Sequence, residues 1–227
     1  MGRAARTWLR SVWAVFRKEA ASELRLRYGL QTLFVFAASA LMLVSFAVRG
    51  RQVEPGLHAA LLWVVLLFSA SSGLGRAFIS EEDRGTVWIL RLHAPASAVY
   101  VGKWLFTLAL TLLLSTLSVG AYELLLGLSV RRLDLLALLL GLGSWGLSGV
   151  MTLLSALIAR TSARGPLLAV LGLPVLIPVL LVGAHGTEQA IRGGGLAETS
   201  AALLALTGYA GAMFAASWAL FDYVWQE

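Results

Sequence analysis

The chain has 227 residues, of which 59% are hydrophobic and 13% charged, and its formal net charge is +6. Soluble domains carry about 25% charged residues, so this composition excludes a soluble globular protein. Cysteine is absent, which excludes disulfide bonds, thiolate metal sites and thiol nucleophiles.

The first 27 residues predict an amphipathic helix. Trp8, Val12 and Phe16 lie near one helical face, whereas five arginine and lysine residues between Arg3 and Lys18 lie on the others. We expect this elbow helix, residues 1–27, to lie in the cytoplasmic interface of the lipid bilayer, as a basic anchor alone or also as a contact for a partner. The apolar core of a signal peptide would begin closer to the N-terminus, so no cleaved signal peptide is predicted.

Six stretches without Asp, Glu, Lys or Arg predict six transmembrane helices in a domain over residues 28–227. Each has the roughly 18 residues needed to cross about 30 Å of hydrocarbon as a helix. Leucine runs such as residues 135–140 do not alternate as barrel strands do. The predicted fold class is therefore an all-α integral membrane protein, with spans at about 28–48, 57–75, 98–122, 135–159, 166–184 and 200–221.

Lysine and arginine are unevenly distributed among the segments that connect the spans. With the N-terminus inside, the cytoplasmic segments hold thirteen basic residues and the outer segments five. The positive-inside rule then predicts that both termini are cytoplasmic. This distribution assigns the net charge to the membrane surface, and no nucleic-acid partner is expected.

The longest polar stretch lies between the second and third predicted spans. Glu81, Glu82 and Asp83 precede apolar residues at 87–92, as in a short amphipathic helix that begins with negative charge, and Pro95 limits it. Residues 78–94 are either a solvated loop or a protein contact. We favour the contact, because acidic residues here lie on the side where basic residues normally dominate.

Pro174 and Pro178 lie four residues apart in the fifth predicted span. They predict a kink or break in that helix, which serves either packing or a gate for a substrate. The following residues, 185–198, contain three consecutive glycines and several polar groups. They are predicted to form a flexible outer loop or a re-entrant segment.

Residue types that carry chemistry are sparse. His58, His93 and His185 are not paired at helical spacing and none is mid-span, which argues against an embedded bis-histidine haem. There is no metal-ligand cluster, phosphate-binding loop or nucleophile set, so the chain is not predicted to be an enzyme. The ionisable residues nearest the spans lie at their ends, where snorkelling to the interface is expected: Lys103, Glu123 and Asp222.

Short motifs follow one another along nearly the whole chain. They are Phe16-Arg-Lys-Glu19 with Glu23-Leu-Arg25, Leu62-Trp63, Arg76-Ala-Phe78 leading to Glu81-Glu-Asp-Arg-Gly-Thr86, Gly102-Lys103, and Gly172-Leu-Pro174 with Pro178. In this order and spacing the chain resembles the CcmB family, the haem exporter B subunit of the cytochrome c maturation ABC transporter.

The resemblance implies an ABC-2 type permease, with an elbow helix, six spans and a coupling helix that docks on an ATPase. It assigns the ATPase-coupling interface to Glu81, Glu82, Asp83, Arg84, Gly85 and Thr86. Arg84 and Trp88 depart from the residues common in the family, so the details of that contact differ here.

The resemblance also implies the partners and the cargo. ATP binds a separate A subunit, haem is the transported substrate, and the other partners are a haem-handling C subunit, a periplasmic haem chaperone and a possible second copy of this chain. The location implied is the bacterial inner membrane. Whether haem passes through this subunit or ATPase motion releases the loaded chaperone stays open. The alternatives are an ABC-2 permease for a drug, lipid or polysaccharide, and a membrane assembly factor without transport activity.

Overall fold

The computed structural model describes residues 2–48, 52–74, 77–159, 161 and 164–226, and within these residues it contains helices and no strand. Of the predicted features, Gly75, Arg76, Arg49, Arg51 and Arg160 lie outside the described residues. The helices are α1 (Gly2–Leu26), α2 (Tyr28–Val48), α3 (Pro55–Gly73), α4 (Ile79–Asp83), α5 (Val87–His93), α6 (Ala96–Leu126), α7 (Leu133–Ile158), α8 (Arg164–Arg192) and α9 (Leu196–Gln226).

Six of these helices are long and apolar enough to cross a bilayer: α2, α3, α6, α7, α8 and α9. Each provides close to the 20 apolar residues that a spanning helix needs, and α6 and α9 exceed that length. The predicted fold class, an all-α membrane protein with six spans, is confirmed.

Helix α7 lies at the centre of the bundle, where it packs against α6, α8 and α9. Small residues allow neighbouring helices to approach it closely. At Gly143 an added Cβ would lie 2.0 Å from the Trp63 ring of α3, and at Gly183 of α8 it would lie 2.4 Å away. The indole nitrogen of Trp63 donates a hydrogen bond of 3.0 Å to Thr187. Helices α3, α7 and α8 therefore interlock around one tryptophan.

Helix α8 continues through both prolines, so of the predicted kink or break the break does not occur, and the kink stays a prediction. Pro174 and Pro178 each remove a backbone donor, which frees the carbonyls four residues earlier, and the neighbouring helix adds a hydrogen bond to a carbonyl between the two prolines. The hydroxyl of Tyr209 on α9 donates to the carbonyl of Val175 at 2.6 Å. Packing against α9 thus satisfies a backbone acceptor beside the prolines inside the membrane. A role for the prolines as a gate stays a prediction.

The sequence predicted a flexible loop or a re-entrant segment at residues 185–198, but the structure shows neither. Helix α8 extends to Arg192 and α9 begins at Leu196, so a turn of three glycines joins them. Gly193 has φ +87, the left-handed conformation that ends many helices and that glycine adopts without strain.

The segment between α3 and α6 contains two short helices, α4 and α5, where the pattern predicted one. Gly85 between them has φ +66, a left-handed backbone conformation that glycine adopts without strain. Residues 78–94 are called the coupling segment below.

Candidate coupling site

The amino group of Lys103 is fully buried near the first turns of α6, with 0% of the residue exposed. Its Nζ donates to Glu19 Oε1 at 2.7 Å, to the Ala77 carbonyl at 2.7 Å and to Glu81 Oε1 at 3.3 Å. It also lies 4.8 Å from the centroid of the Phe78 ring. A buried ammonium group is tolerated only when it is paired and hydrogen-bonded, and three partners use its three donors.

Glu81 of α4 is buried as well and joins the coupling segment to α1. Its carboxylate accepts hydrogen bonds from Lys18 and from the hydroxyl of Thr86, and the Thr86 backbone N–H donates to the Glu81 carbonyl at 3.0 Å. Burial opposes ionisation, but the charge of Lys103 and the hydrogen bonds from Lys18 and Thr86 outweigh it and lower the pKa of Glu81 to about 2. Glu81 is therefore charged at physiological pH.

Lys18, Glu19, Glu81 and Lys103 form a neutral group of four charges, called the charge cluster below. Lys18 also lies 3.3 Å from Glu19. Together they connect α1, the coupling segment and α6. Removing Lys103 would leave two buried carboxylates without their main partner, which is far more costly than losing an exposed ion pair.

The close approach of α1 to α6 explains why these charges meet. Gly102 precedes Lys103, and a Cβ added there would lie 2.7 Å from Val15 Cβ and 2.8 Å from the Val12 carbonyl oxygen. Trp8 of α1 adds a hydrogen bond of 3.0 Å to Ser97. The glycine lets α1 lie directly on α6, and Glu19, one turn further along α1 from Val15, reaches Lys103.

The coupling segment is held at its start by two further helices. The backbone N–H of Phe78 donates to Ser155 Oγ of α7 at 2.8 Å. The Phe78 ring lies 5.2 Å from Phe221 and 6.1 Å from Trp225, both on α9. Motion of this segment would therefore act on α1, α6, α7 and α9.

The predicted interface residues divide into an inner and an outer group. Glu81 is buried and the Thr86 hydroxyl is hydrogen-bonded to it, so the polar groups of these two residues face inward and do not form a surface for a partner. Glu82 is half-buried, and the outer group consists of Asp83, Arg84 and Gly85 at the exposed tip between α4 and α5.

Helix α5 carries an apolar face that the part of the chain described by the structure leaves exposed. Trp88, Ile89 and Leu92 are 68%, 59% and 81% exposed, whereas Val87 is buried. Arg91 lies over the Trp88 ring at 5.2 Å and over the Trp225 ring at 5.3 Å. These contacts hold α5 against α9, with its apolar face and the adjacent tip outward.

Sequence reasoning missed the charge cluster. Lys103 was expected to snorkel to the interface, but the structure buries it against two carboxylates. Glu19 and Lys103 both lie in the quoted motifs, and Gly102-Lys103 is a small residue beside a charge at a helix contact. That signal marks a close helix crossing but does not identify the partner.

A family model described as CcmB protein matches residues 10–223, from within α1 to within α9. This chain belongs to the CcmB family. The match contains all four members of the charge cluster and the whole coupling segment.

Two curated relatives of this CcmB-family chain are both named heme exporter protein B. The chain is 33% identical to the protein from Pseudomonas aeruginosa over 165 residues, which cover 70% of this chain and 72% of the relative. It is 28% identical to the protein from Bradyrhizobium diazoefficiens over 186 residues, which cover 79% of this chain and 82% of the relative.

Proposed function

We propose that this chain is the membrane subunit of an ABC transporter that exports haem for cytochrome c maturation. Family membership supports the assignment, and the charge cluster is the structural observation that carries it. The cluster ties the coupling segment to α1 and α6, so a force on the segment reaches the transmembrane bundle. ATP is hydrolysed on a separate A subunit.

The exposed part of the coupling segment is the surface on which that ATPase docks. Its tip carries Asp83 and Arg84, and the apolar face of α5 lies beside it. Charged groups at such a surface steer and orient a partner, while buried apolar side chains supply most of the contact energy. Glu81 and Thr86 act behind this surface and hold the segment on the bundle.

The subunit lies in the bacterial inner membrane with the coupling segment and both termini in the cytoplasm. The excess of basic residues on that side supports this orientation. On α1, Leu9 and Trp13 are 59% and 63% exposed, which suits an elbow helix that lies in the interface with tryptophan at headgroup depth.

Six spans make one half of a typical ABC permease, so a second copy of this chain or the haem-handling C subunit completes the assembly. Helices α2 and α9 bury the smallest share of their apolar windows within the chain. Their remaining apolar surfaces contact lipid or these neighbouring subunits. The complex delivers haem toward a periplasmic chaperone.

Charge reversal tests the docking surface. We expect Glu82→Lys with Asp83→Lys to reduce co-purification of the ATPase at least tenfold, because like charges placed at an interface cost several kcal/mol. Asp134→Lys is the control, since it reverses a carboxylate in an exposed pair at the other end of the bundle, and such pairs contribute little. A complex that survives the double reversal intact would show that the ATPase docks elsewhere.

Transport is tested in vesicles that contain the complete complex. We expect haem to cross the membrane in an ATP-dependent manner. ATP-dependent release of the loaded chaperone without haem movement would instead assign the subunit a mechanical role. Failure of both would refute the proposed function.

A further inference from the structure

A pocket lies at the end of the bundle opposite the coupling segment, where α3 begins and α6 and α8 end. We call it the far-end pocket, and its lining includes Val53, His58, Leu126, Arg131, Ile191 and Arg192. Its volume is 490 Å³, within the range of small-molecule sites. In the proposed orientation this end faces the periplasm.

The imidazole of His58 is held in place by a buried phenol. Its Nδ1 lies 3.1 Å from the hydroxyl of Tyr122, and the two rings meet edge to face with centroids 5.7 Å apart. Tyr122 is only 1% exposed, so it cannot swing away easily. In the tautomer in which Nδ1–H donates to the phenol oxygen, the bond orients the ring and Nε2 keeps its lone pair for a metal, which is the usual arrangement of a metal-ligating histidine.

Two arginines line the pocket, and Arg131 supplies its unbalanced positive charge. A Cβ at Gly193 would lie 2.9 Å from Arg131 Cδ, so the glycine turn lets the Arg131 side chain lie across it. One Arg131 nitrogen donates to the Arg192 carbonyl at 3.4 Å, and Arg192 itself pairs with Glu188 at 2.8 Å. The described residues that line the pocket include no Asp or Glu, so Arg131 keeps donors for an added carboxylate.

The remaining lining is partly apolar. Val53, Leu126 and Ile191 border the same space as His58 and Arg131. The exposed lining as a whole is more polar than apolar. A nitrogen ligand for a metal and an arginine for a carboxylate, bordered by these three apolar side chains, fit a molecule that carries both a metal and acidic side groups.

We propose that the far-end pocket binds an iron porphyrin, with His58 Nε2 on the iron and Arg131 on a propionate. The proposal rests on the proposed function, since it takes haem as the cargo, and it makes this subunit itself a haem carrier. Cargo held here would wait at the outer surface of the membrane for an acceptor. No second histidine is needed, because water or the acceptor fills the other axial position.

Two porphyrins separate the roles of the two residues. The purified full-length chain in lipid nanodiscs is titrated with haemin and, separately, with metal-free protoporphyrin IX. We expect His58→Ala to abolish the shifted Soret band and to weaken haemin binding at least tenfold, with protoporphyrin binding unchanged. Added imidazole should restore the band. Arg131→Gln should weaken both porphyrins about tenfold and preserve the band.

His93→Ala is the matched control, because His93 is exposed at the opposite end of the bundle and bonds only the Ile89 carbonyl among the contacts described. It should leave both titrations unchanged. Thermal unfolding of each variant checks its fold, and His58→Gln replaces His58→Ala if the latter unfolds. The proposal is overturned if a folded His58 variant binds haemin with the affinity and the Soret band of the wild type. It is also overturned if His93→Ala loses as much haemin affinity as the His58 variant.

Failure of this proposal differs from failure of the proposed function. Suppose that haemin binding depends on His58 but the complete complex shows neither ATP-driven haem movement nor chaperone release. This result would support haem binding in the far-end pocket and refute the export function. ATP-driven movement, with haemin binding indifferent to His58 and Arg131, would retain the function and refute the pocket.

Discussion

Lys103 shows how strongly one buried charge can constrain a membrane protein. Its ammonium group has no exposed surface and binds a carboxylate on α1, a carboxylate on α4 and the backbone before α4. Because burial removes the solvation of each charge, the ions depend on one another for stabilisation. Neutral as a group, the charge cluster ties the coupling segment to α1 and α6.

The first prediction concerns the removal of this ammonium group. Lys103→Met should destabilise the protein by about 3–5 kcal/mol, because it leaves Glu19 and Glu81 buried without their main partner. Lys18→Met is the control, since the Lys18 side chain is 37% exposed and its loss should cost about 1 kcal/mol or less. Chemical unfolding in detergent measures both.

A double substitution checks the reason for this effect. Adding Glu19→Gln to Lys103→Met should restore part of the lost stability, because one stranded carboxylate is removed and neighbouring substitutions are not additive. Equal destabilisation by Lys103→Met and Lys18→Met would contradict the central role of Lys103.

At the scale of elements, the apolar face of α1 is divided between the protein and the membrane interface. Val12 and Val15 are buried against α6, whereas Leu9 and Trp13 are exposed. Helical periodicity predicts the amphipathic helix, but it does not separate these two environments. The division follows from Gly102, where α6 admits the backbone of α1.

The second prediction concerns this crossing. Gly102→Ala should destabilise the protein by about 1–3 kcal/mol, because the added methyl group meets the Val12 backbone and forces α1 away from α6. Gly120→Ala is a matched control on the same helix, because the added Cβ would meet no side chain and no neighbouring helix among the described residues. That substitution should be neutral or stabilising by up to about 1 kcal/mol, since alanine favours helix. Equal effects at both positions would refute a close crossing at Gly102.

The whole molecule has two distinct ends. At one end lie the charge cluster and the coupling segment, and at the other lie the turn of three glycines and the far-end pocket. The interlocked helices α3, α7 and α8 connect them. Force applied at the coupling segment and cargo held in the far-end pocket would thus act on opposite ends of one packed bundle.

The third prediction concerns orientation, and the absence of cysteine makes it simple to test. Single substitutions Gln52→Cys and Arg84→Cys place thiols at exposed positions of the two ends. A membrane-impermeant maleimide should label Gln52→Cys in intact spheroplasts and should label Arg84→Cys only after permeabilisation. The unmodified chain gives the background. Labelling of Arg84→Cys in intact spheroplasts would show that the orientation is the opposite of the one proposed.

Much of the architecture was predictable because it depends on local composition. A run of about 20 apolar residues must be helical in lipid wherever its neighbours lie, so six spans could be counted without a structure. The exceptions lie where helices meet. Pro174 and Pro178 predicted a kink or a break in α8, but the helix continues through both. The glycine run after Arg192 predicted a loop or a re-entrant segment, although both helices extend toward it.

The sequence by itself determined that this chain crosses a membrane six times and carries a polar segment between the second and third spans, because both follow from the order of apolar and charged residues. Only the tertiary structure decided that Glu81 faces inward, that Lys103 is buried and that His58 meets Tyr122. Those pairs join residues 22 to 84 positions apart. Their partners are set by how the helices pack, and helix packing is not encoded in any local pattern.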